Sequence, residues 1–174
     1  MYKVDHFETY LSIDELMDKY FDFSCTYSKC RQCPGFGQTW SCPDLDFDPE
    51  DFWKQFSRFH LIVDRVSNSG TQTAEEAQQR LFAEKRRFDS QLRDIEKTLP
   101  GSYALAAQEC VQCTRCARLS GLPCIHPEIM RYGPEAIGLL ALKMAENELG
   151  LKAQWSDGQS IPEYYLLIAG VIEK

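Results

Sequence analysis

The alternation of apolar and polar residues predicts one long helix in the middle of the chain. Apolar residues between Ala74 and Leu99 recur at helical intervals, with Lys and Arg on the opposite side. Thr73 and Glu76 form a capping box at the beginning of this segment, and Pro100-Gly101 follows its end. We therefore expect this segment to be the longest helix.

Shorter elements flank it. The predicted helices are Ser12 to Tyr20, with Ser12 and Glu15 as a capping box, a short helix capped by Asp48 with Pro49 at its first position, and Glu135 to Leu149 between Pro134 and Gly150. The predicted strands are Tyr2 to Thr9 at an edge, His60 to Val66, Ser102 to Gln108 and Tyr164 to Ile172.

This order of elements predicts an α/β fold, with α+β as the alternative class. We expect a small sheet with helices packed on it. A chain of 174 residues suits one domain, residues 1–174. Two cysteine-rich segments, residues 25–42 and 110–124, are expected in loops at one edge or end of the sheet.

Composition and charge exclude several classes of protein. With 44% hydrophobic and 26% charged residues, the chain is neither fibrous nor disordered along its length. Its apolar runs fall far short of the roughly 20 residues of a membrane span, and the first ten residues do not resemble a secretory signal, so we expect a cytoplasmic protein. A net charge of -7 argues against binding nucleic acid or an anionic membrane.

The chain contains eight cysteines in two groups of four. The first group has the spacing C-x4-C-x2-C-x8-C and comprises Cys25, Cys30, Cys33 and Cys42. The second group has the spacing C-x2-C-x2-C-x7-C and comprises Cys110, Cys113, Cys116 and Cys124. Disulfides are disfavoured because they suit small secreted chains. Four thiolates satisfy a tetrahedral zinc or the corners of an iron–sulfur cluster, so metal binding by all eight is the stronger interpretation.

The spacing favours iron–sulfur clusters over zinc. Structural zinc sites usually use two separate C-x2-C pairs or a mixture of Cys and His. The second group instead has three cysteines at successive x2 spacings, which is how a bacterial ferredoxin motif begins. The analogy is partial, because Ile125 and His126 separate Cys124 from the proline that follows.

Further residues near the cysteines are candidates for supporting roles. His126 could be a ligand or a proton carrier, and Glu109 and Glu135 could orient a ligand or bind substrate, although capping and solvation explain both glutamates equally well. His6 and His60 are expected to be structural. Nearby arginines could offset the negative charge of a thiolate centre, or simply lie on the surface: Arg31, Arg115, Arg118 and Arg131.

The motifs resemble a family of small bacterial and archaeal proteins catalogued as predicted metal-binding, with no assigned activity. The resemblance rests on C-x4-C-x2-C followed by W-x-C-P at residues 40–43, and on E-C-x2-C-x2-C with G-x-P-C at residues 121–124. His126-Pro127-Glu128, Arg131 and residues 134–138 also match. The resemblance runs from about Cys25 to Gly138, and it implies metal or cluster binding by the eight cysteines.

Three functions remain open at this point. The first is a redox protein that holds two iron–sulfur clusters of the 4Fe-4S type and transfers electrons to a redox partner protein, rather than a stand-alone enzyme. The second is a structural zinc protein that has two sites of four cysteines each and serves as an interaction module. The third is an enzyme or metallochaperone that uses labile cysteines.

Overall fold

The computed structural model describes residues 2–156 and 160–174. Its strands are β1 (Val4–Ser12), β2 (Arg58–Ser67), β3 (Tyr103–Ala104) and β4 (Tyr164–Glu173). Its α-helices are α1 (Ile13–Tyr20), α2 (Phe23–Cys30), α3 (Pro49–Trp53), α4 (Ala74–Thr98) and α5 (Ala141–Leu149). Two 3₁₀ turns cover Ala117–Ser120 and Glu135–Ile137.

The four strands form one sheet in the order β1-β2-β4-β3, and every neighbouring pair is antiparallel. The expected small sheet with helices packed on it is therefore confirmed, and the antiparallel pairing makes the fold α+β. The predicted edge strand near the N-terminus is also confirmed, since β1 lies at one end of this order.

Side chains cover both faces of the sheet at its centre. Residues 59–64 of β2 are buried without interruption, although successive side chains of a strand point to opposite faces. On one face, Trp53 of α3 packs on Phe59 with ring centroids 5.9 Å apart. On the other, Arg87 of α4 donates to Asp64, with 2.6 Å between Nη2 and Oδ2. Alternation along β2 places Phe59 and Asp64 on opposite faces, so α3 and α4 lie on opposite sides.

The helix starts follow the capping residues. Ser12 accepts a hydrogen bond from the Glu15 amide, and Asp48 accepts from the amides of residues 50 and 51. Thr73 and Glu76 form both halves of the predicted capping box at the start of α4. The predicted helix starts are thus confirmed. They could be predicted from the sequence because a cap is an interaction among residues close in sequence.

The strand predicted from Ser102 to Gln108 is wrong in length, since β3 contains two residues. Leu105 still donates to the carbonyl oxygen of Gly170 in β4. The next two amides bond elsewhere: Ala106 donates to Tyr132 O and Ala107 to Asp89 Oδ1. The chain thus leaves the sheet before it reaches the second cysteine group.

The first cysteine group was expected in a loop, and that prediction is wrong for two of its members. Cys25 and Cys30 lie within α2. Asp22 caps this helix by accepting a hydrogen bond of 2.9 Å from the Cys25 amide. Ser, Thr, Tyr and Cys have modest helix propensity, so the sequence carried little signal for this helix.

The helix predicted from Glu135 to Leu149 is interrupted. A 3₁₀ turn ends at Gly138, whose φ of +96° lies in the region that favours glycine, and α5 begins only at Ala141. A Cβ at Gly138 would lie 2.6 Å from Cε2 of Phe21. Phe21 also forms a β-bridge with Leu139, so contact with a remote segment breaks the helix.

A buried ion pair links α4 to the segment that precedes the second cysteine group. Lys85 and Asp89 have side chains that are 1% and 2% exposed, with 2.7 Å between Nζ and Oδ2. The other carboxylate oxygen of Asp89 accepts a hydrogen bond of 2.9 Å from the Ala107 amide. Removing one partner would leave an uncompensated charge in the interior.

Gly138→Ala should destabilise the protein more than Gly150→Ala. Both glycines have positive φ, which costs a residue with a Cβ about 1 kcal/mol or more. Only the alanine at residue 138 would also collide with a ring, because nothing lies within 4 Å of a Cβ at residue 150. Urea unfolding of both variants measures the difference, and equal losses would contradict the packing role of Phe21.

Lys85→Met should reduce the free energy of unfolding by about 3–5 kcal/mol near neutral pH, because Asp89 then carries a buried unpaired charge. The double variant Lys85→Met with Asp89→Asn should recover much of this, since the Asn oxygen can still accept from Ala107. Urea unfolding of the reduced, metal-free variants measures both values.

The same pair of variants should differ in pH dependence. Burial raises the pKa of Asp89 in the folded protein. The folded state then holds the proton more tightly than the unfolded state. The contribution of Asp89 to the free energy of unfolding therefore falls as pH rises above about 4. Lys85→Met should therefore lose stability relative to the double variant as pH rises, and a constant difference would contradict the burial of an unpaired carboxylate.

Candidate metal centre

The fold brings the two cysteine groups next to each other. Ser41, one residue before Cys42, accepts a hydrogen bond of 2.8 Å from the Cys110 amide. Trp40 donates from Nε1 to the carbonyl oxygen of Leu122 at 3.0 Å. These bonds join residues that lie 69 and 82 positions apart in the sequence.

Arg118 strengthens the junction between the two cysteine segments, residues 25–42 and 110–124. Its Nη1 donates to the carbonyl oxygens of Thr39, at 2.7 Å, and Cys42, at 2.6 Å. Its guanidinium group lies 5.2 Å from the centre of the Trp40 ring. Arg118, which we expected either to offset charge or to lie on the surface, thus holds the first cysteine segment against the second, through planar and stacking interactions that Lys would not reproduce.

The other arginines have different surroundings. Arg131 pairs with Glu96, with 2.6 Å between Nη2 and Oε2, and stacks over Tyr103. Arg31 is exposed at the end of α2. Arg115 is exposed and lines the cavity of the second cysteine group.

All four cysteines of the second group line one cavity of about 230 Å³. Gln38, Trp40, Arg115 and His126 contribute to its wall. A cavity needs roughly 10–15 Å³ to hold one water molecule, so this one has room for a group much larger than a single ion.

Thiols of this group also raise one another's pKa values. Burial raises the pKa of Cys110, with further increases from Cys124 and Cys113, while the Gln112 amide and the Lys85 ammonium act in the opposite direction. Burial likewise raises the pKa of Cys113, followed by the charges of Cys116 and Cys124. Grouped thiolates repel one another, and a bound cationic centre would remove that cost.

Three members of the first group are also neighbours. Burial raises the pKa of Cys30, and the charges of Cys42, Glu135 and Cys33 raise it further. The Gly35 amide donates to the sulfur of Cys33 at 3.3 Å, and Thr39 Oγ1 donates to the sulfur of Cys42 at 3.3 Å. Hydrogen bonds to sulfur are typical of iron–sulfur sites, where they tune the reduction potential.

Cys25 occupies a different position. It precedes Cys30 by five residues in the same helix, which places the two side chains about 140° apart around the axis. Its neighbours on that side of α2, Ser28 and Lys29, are exposed, whereas Thr26 on the Cys30 side is buried. The helix therefore directs Cys25 away from the other three thiols.

The donor set fits a multi-atom centre better at the second group than at the first. All eight cysteines are free thiols. Within residues 2–156 and 160–174, no three His, Cys, Asp or Glu side chains converge closely enough to hold a single metal ion. The second group offers four soft sulfur ligands around one cavity, which suits an iron–sulfur cluster. The first offers three such neighbours.

The three histidines lie in different surroundings. His126 lies on the wall of the second cavity. His6 pairs with Asp64 at 2.8 Å, and His60 pairs with Glu8 at 2.7 Å, both on the sheet. Neither sheet histidine lies among the residues that line the second cavity.

The sequence analysis did not identify Lys85 as a residue near the site. Its burial could have been predicted from its position in the apolar stripe of α4, four residues after Leu81 and three before Phe88. A lysine there must be buried, and a buried lysine needs a partner. Glu135, for which a ligand-orienting or substrate-binding role and capping or solvation are equally open, lies in the 3₁₀ turn Glu135–Ile137, and burial raises the pKa of its carboxyl group.

The comparisons with known proteins yield one match. No curated protein and no solved structure matches the chain. Across the described residues, no helix is both long and apolar enough to cross a membrane. The model of a family described as "Predicted metal-binding protein (DUF2284)" matches residues 21–171, which include all eight cysteines. The chain therefore belongs to the DUF2284 family of predicted metal-binding proteins.

Proposed function

We propose that this protein holds two iron–sulfur clusters of the 4Fe-4S type and transfers electrons to and from a redox partner protein. The observation that carries the proposal is the cavity that all four cysteines of the second group line. Its volume of about 230 Å³ suits an inorganic core rather than one ion. A cluster held by four thiolates supplies one-electron transfer.

The protein's own residues support this role by holding the sulfurs and excluding water. Cys110, Cys113, Cys116 and Cys124 would hold the second cluster. Trp40 and Met130 line the cavity beside these cysteines. The Gln112 amide and the Lys85 ammonium lie near Cys110, and positive charge there stabilises the more negative, reduced state.

The junction of the two segments supports electron transfer between centres. Cys42 of the first group is adjacent to Ser41, which accepts from the Cys110 amide of the second. Two clusters held on either side of this junction would be neighbours fixed by hydrogen bonds and by Arg118. A fixed separation keeps the geometry of transfer constant from one turnover to the next.

Protein purified without oxygen should be brown and contain roughly eight iron and eight acid-labile sulfide ions per chain, the content of two four-iron clusters. Metal analysis and sulfide assay of the same sample measure both. Colourless protein with two zinc ions per chain would contradict the proposal and support a structural zinc protein instead.

Cys116→Ser should remove about half of the iron and sulfide, because it deletes one ligand of the second cluster only. Thr114→Ala, which changes a neighbouring residue on the cavity wall that is not a ligand, should leave the content unchanged. Equal iron content in the two variants would contradict the assignment of the second group.

A further inference from the structure

A second cavity, here called the side cavity, adjoins the one that the four cysteines of the second group line. Its volume is about 400 Å³, within the roughly 300–1,000 Å³ that is typical of small-molecule sites. Trp40, Cys124 and Met130 line both cavities. A molecule bound in the side cavity would therefore lie next to the proposed metal centre without taking the place of the metal.

Apolar and aromatic side chains form most of the wall of the side cavity. They are Trp40, Leu45, Pro123, Met130 and Tyr132. The Trp40 ring is fixed by the hydrogen bond of 3.0 Å from its Nε1 to the carbonyl oxygen of Leu122. The Tyr132 ring packs on those of Phe47 and Tyr103, with centroids 5.3 Å and 6.4 Å apart. Aromatic rings held in place in this way attract organic cations.

The charged side chains that line the side cavity are both negative. They are Asp44 and Asp46, and none of the described lining residues is a lysine, arginine or histidine. Asp44 accepts a hydrogen bond from the hydroxyl group of Tyr27, whereas Asp46 has no ion pair or hydrogen bond within residues 2–156 and 160–174. After burial, the negative charges of Asp46 and Cys124 raise the pKa of Tyr132 further. Protein cations thus leave the charge of this cavity uncompensated.

Arg118 lies close to the side cavity but does not neutralise it. Its guanidinium group donates to the carbonyl oxygens of Thr39 and Cys42, and its Nη2 lies 3.4 Å from the backbone oxygen of Asp44, not from the carboxylate. The same group lies over the Trp40 ring, 5.2 Å from its centre. Arg118 is not among the residues that line the cavity.

We propose that the side cavity binds a small organic cation with a methylated, quaternary nitrogen. Such an ion has no hydrogen to donate, so aromatic rings and nearby carboxylates recognise it better than a set of hydrogen-bond acceptors does. A hydrated metal ion suits this wall less well, because hard cations need several oxygen ligands and most of the wall is apolar.

This inference goes beyond the proposed function and does not depend on the identity of the metal. A centre with four thiolate ligands carries a charge of about -2 whether it holds zinc or an oxidised four-iron cluster. Cys124 lies on the shared wall in both cases, so the metal-loaded centre adds to the attraction for a cation.

Three small molecules test the proposal: choline, 3,3-dimethylbutan-1-ol and ethanolamine. The alcohol has the shape of choline without its charge, and ethanolamine has the charge without the methyl groups. Isothermal titration calorimetry of the metal-loaded protein, at constant ionic strength, gives the three dissociation constants. Choline should bind roughly tenfold more tightly than either of the others, because only choline combines charge with an apolar surface.

Each other result would overturn the proposal. Equal affinity for choline and 3,3-dimethylbutan-1-ol would mean that the cavity selects shape and not charge. Ethanolamine that binds as tightly as choline would rule out selection for a methylated nitrogen. Failure of choline to bind would rule out the site itself.

Two matched variants locate the site. Asp46→Asn should weaken choline binding roughly two- to fivefold, the range of an exposed ion pair. Asp18→Asn removes the same charge from an exposed residue of α1 that does not line the cavity, and it should leave binding unchanged. Both variants should keep their metal content and urea midpoint, because both side chains are exposed. Equal affinity of the two variants for choline would place the cation elsewhere and contradict the proposal.

Iron and sulfide analysis of the same samples separates this inference from the proposed function. A zinc-containing protein that still prefers choline would contradict the iron–sulfur function alone. An iron–sulfur protein that does not distinguish choline from 3,3-dimethylbutan-1-ol would contradict this inference alone.

Discussion

The candidate site depends on a junction between two segments that are distant in sequence. Arg118 donates to the carbonyl oxygens of Thr39 and Cys42, while Ser41 accepts from the Cys110 amide. Neither segment contains a strand, and the first has no helix after Cys30 until Pro49. Side-chain bonds to backbone groups therefore do here what ladder hydrogen bonds do in a sheet: they satisfy polar groups and fix the position of the chain.

The sheet determines where this junction lies. Because β3 pairs with β4 over only two residues, the chain leaves the sheet at its edge and passes Asp89 on its way to the second group. The buried Lys85–Asp89 pair stabilises that exit and places a positive charge near Cys110. A single pair of residues thus serves both the packing of α4 and the electrostatics of the candidate centre.

The sequence predicted those parts of the fold that depend on neighbouring residues. Thr73 and Asp48 mark their helix starts because a cap bonds to amides two or three residues away. The break at Gly138 was not predictable in this way, since it depends on the ring of Phe21 from a distant segment. The same holds for the site. The x2 spacings place thiols close together, whereas the position of Cys25 depends on a helix with little local signal.

The sheet and its helices are regular, whereas the cysteine segments consist largely of turns. This difference suggests an order in which the protein folds and binds metal. The core of the sheet and its helices is built from buried apolar side chains that need no inorganic component. Residues 31–47 are held mainly by turns and by bonds to the neighbouring segment. Such a protein can fold its sheet and helices first and bind metal in its cysteine segments afterwards, so that metal binding is not a condition for folding of the core.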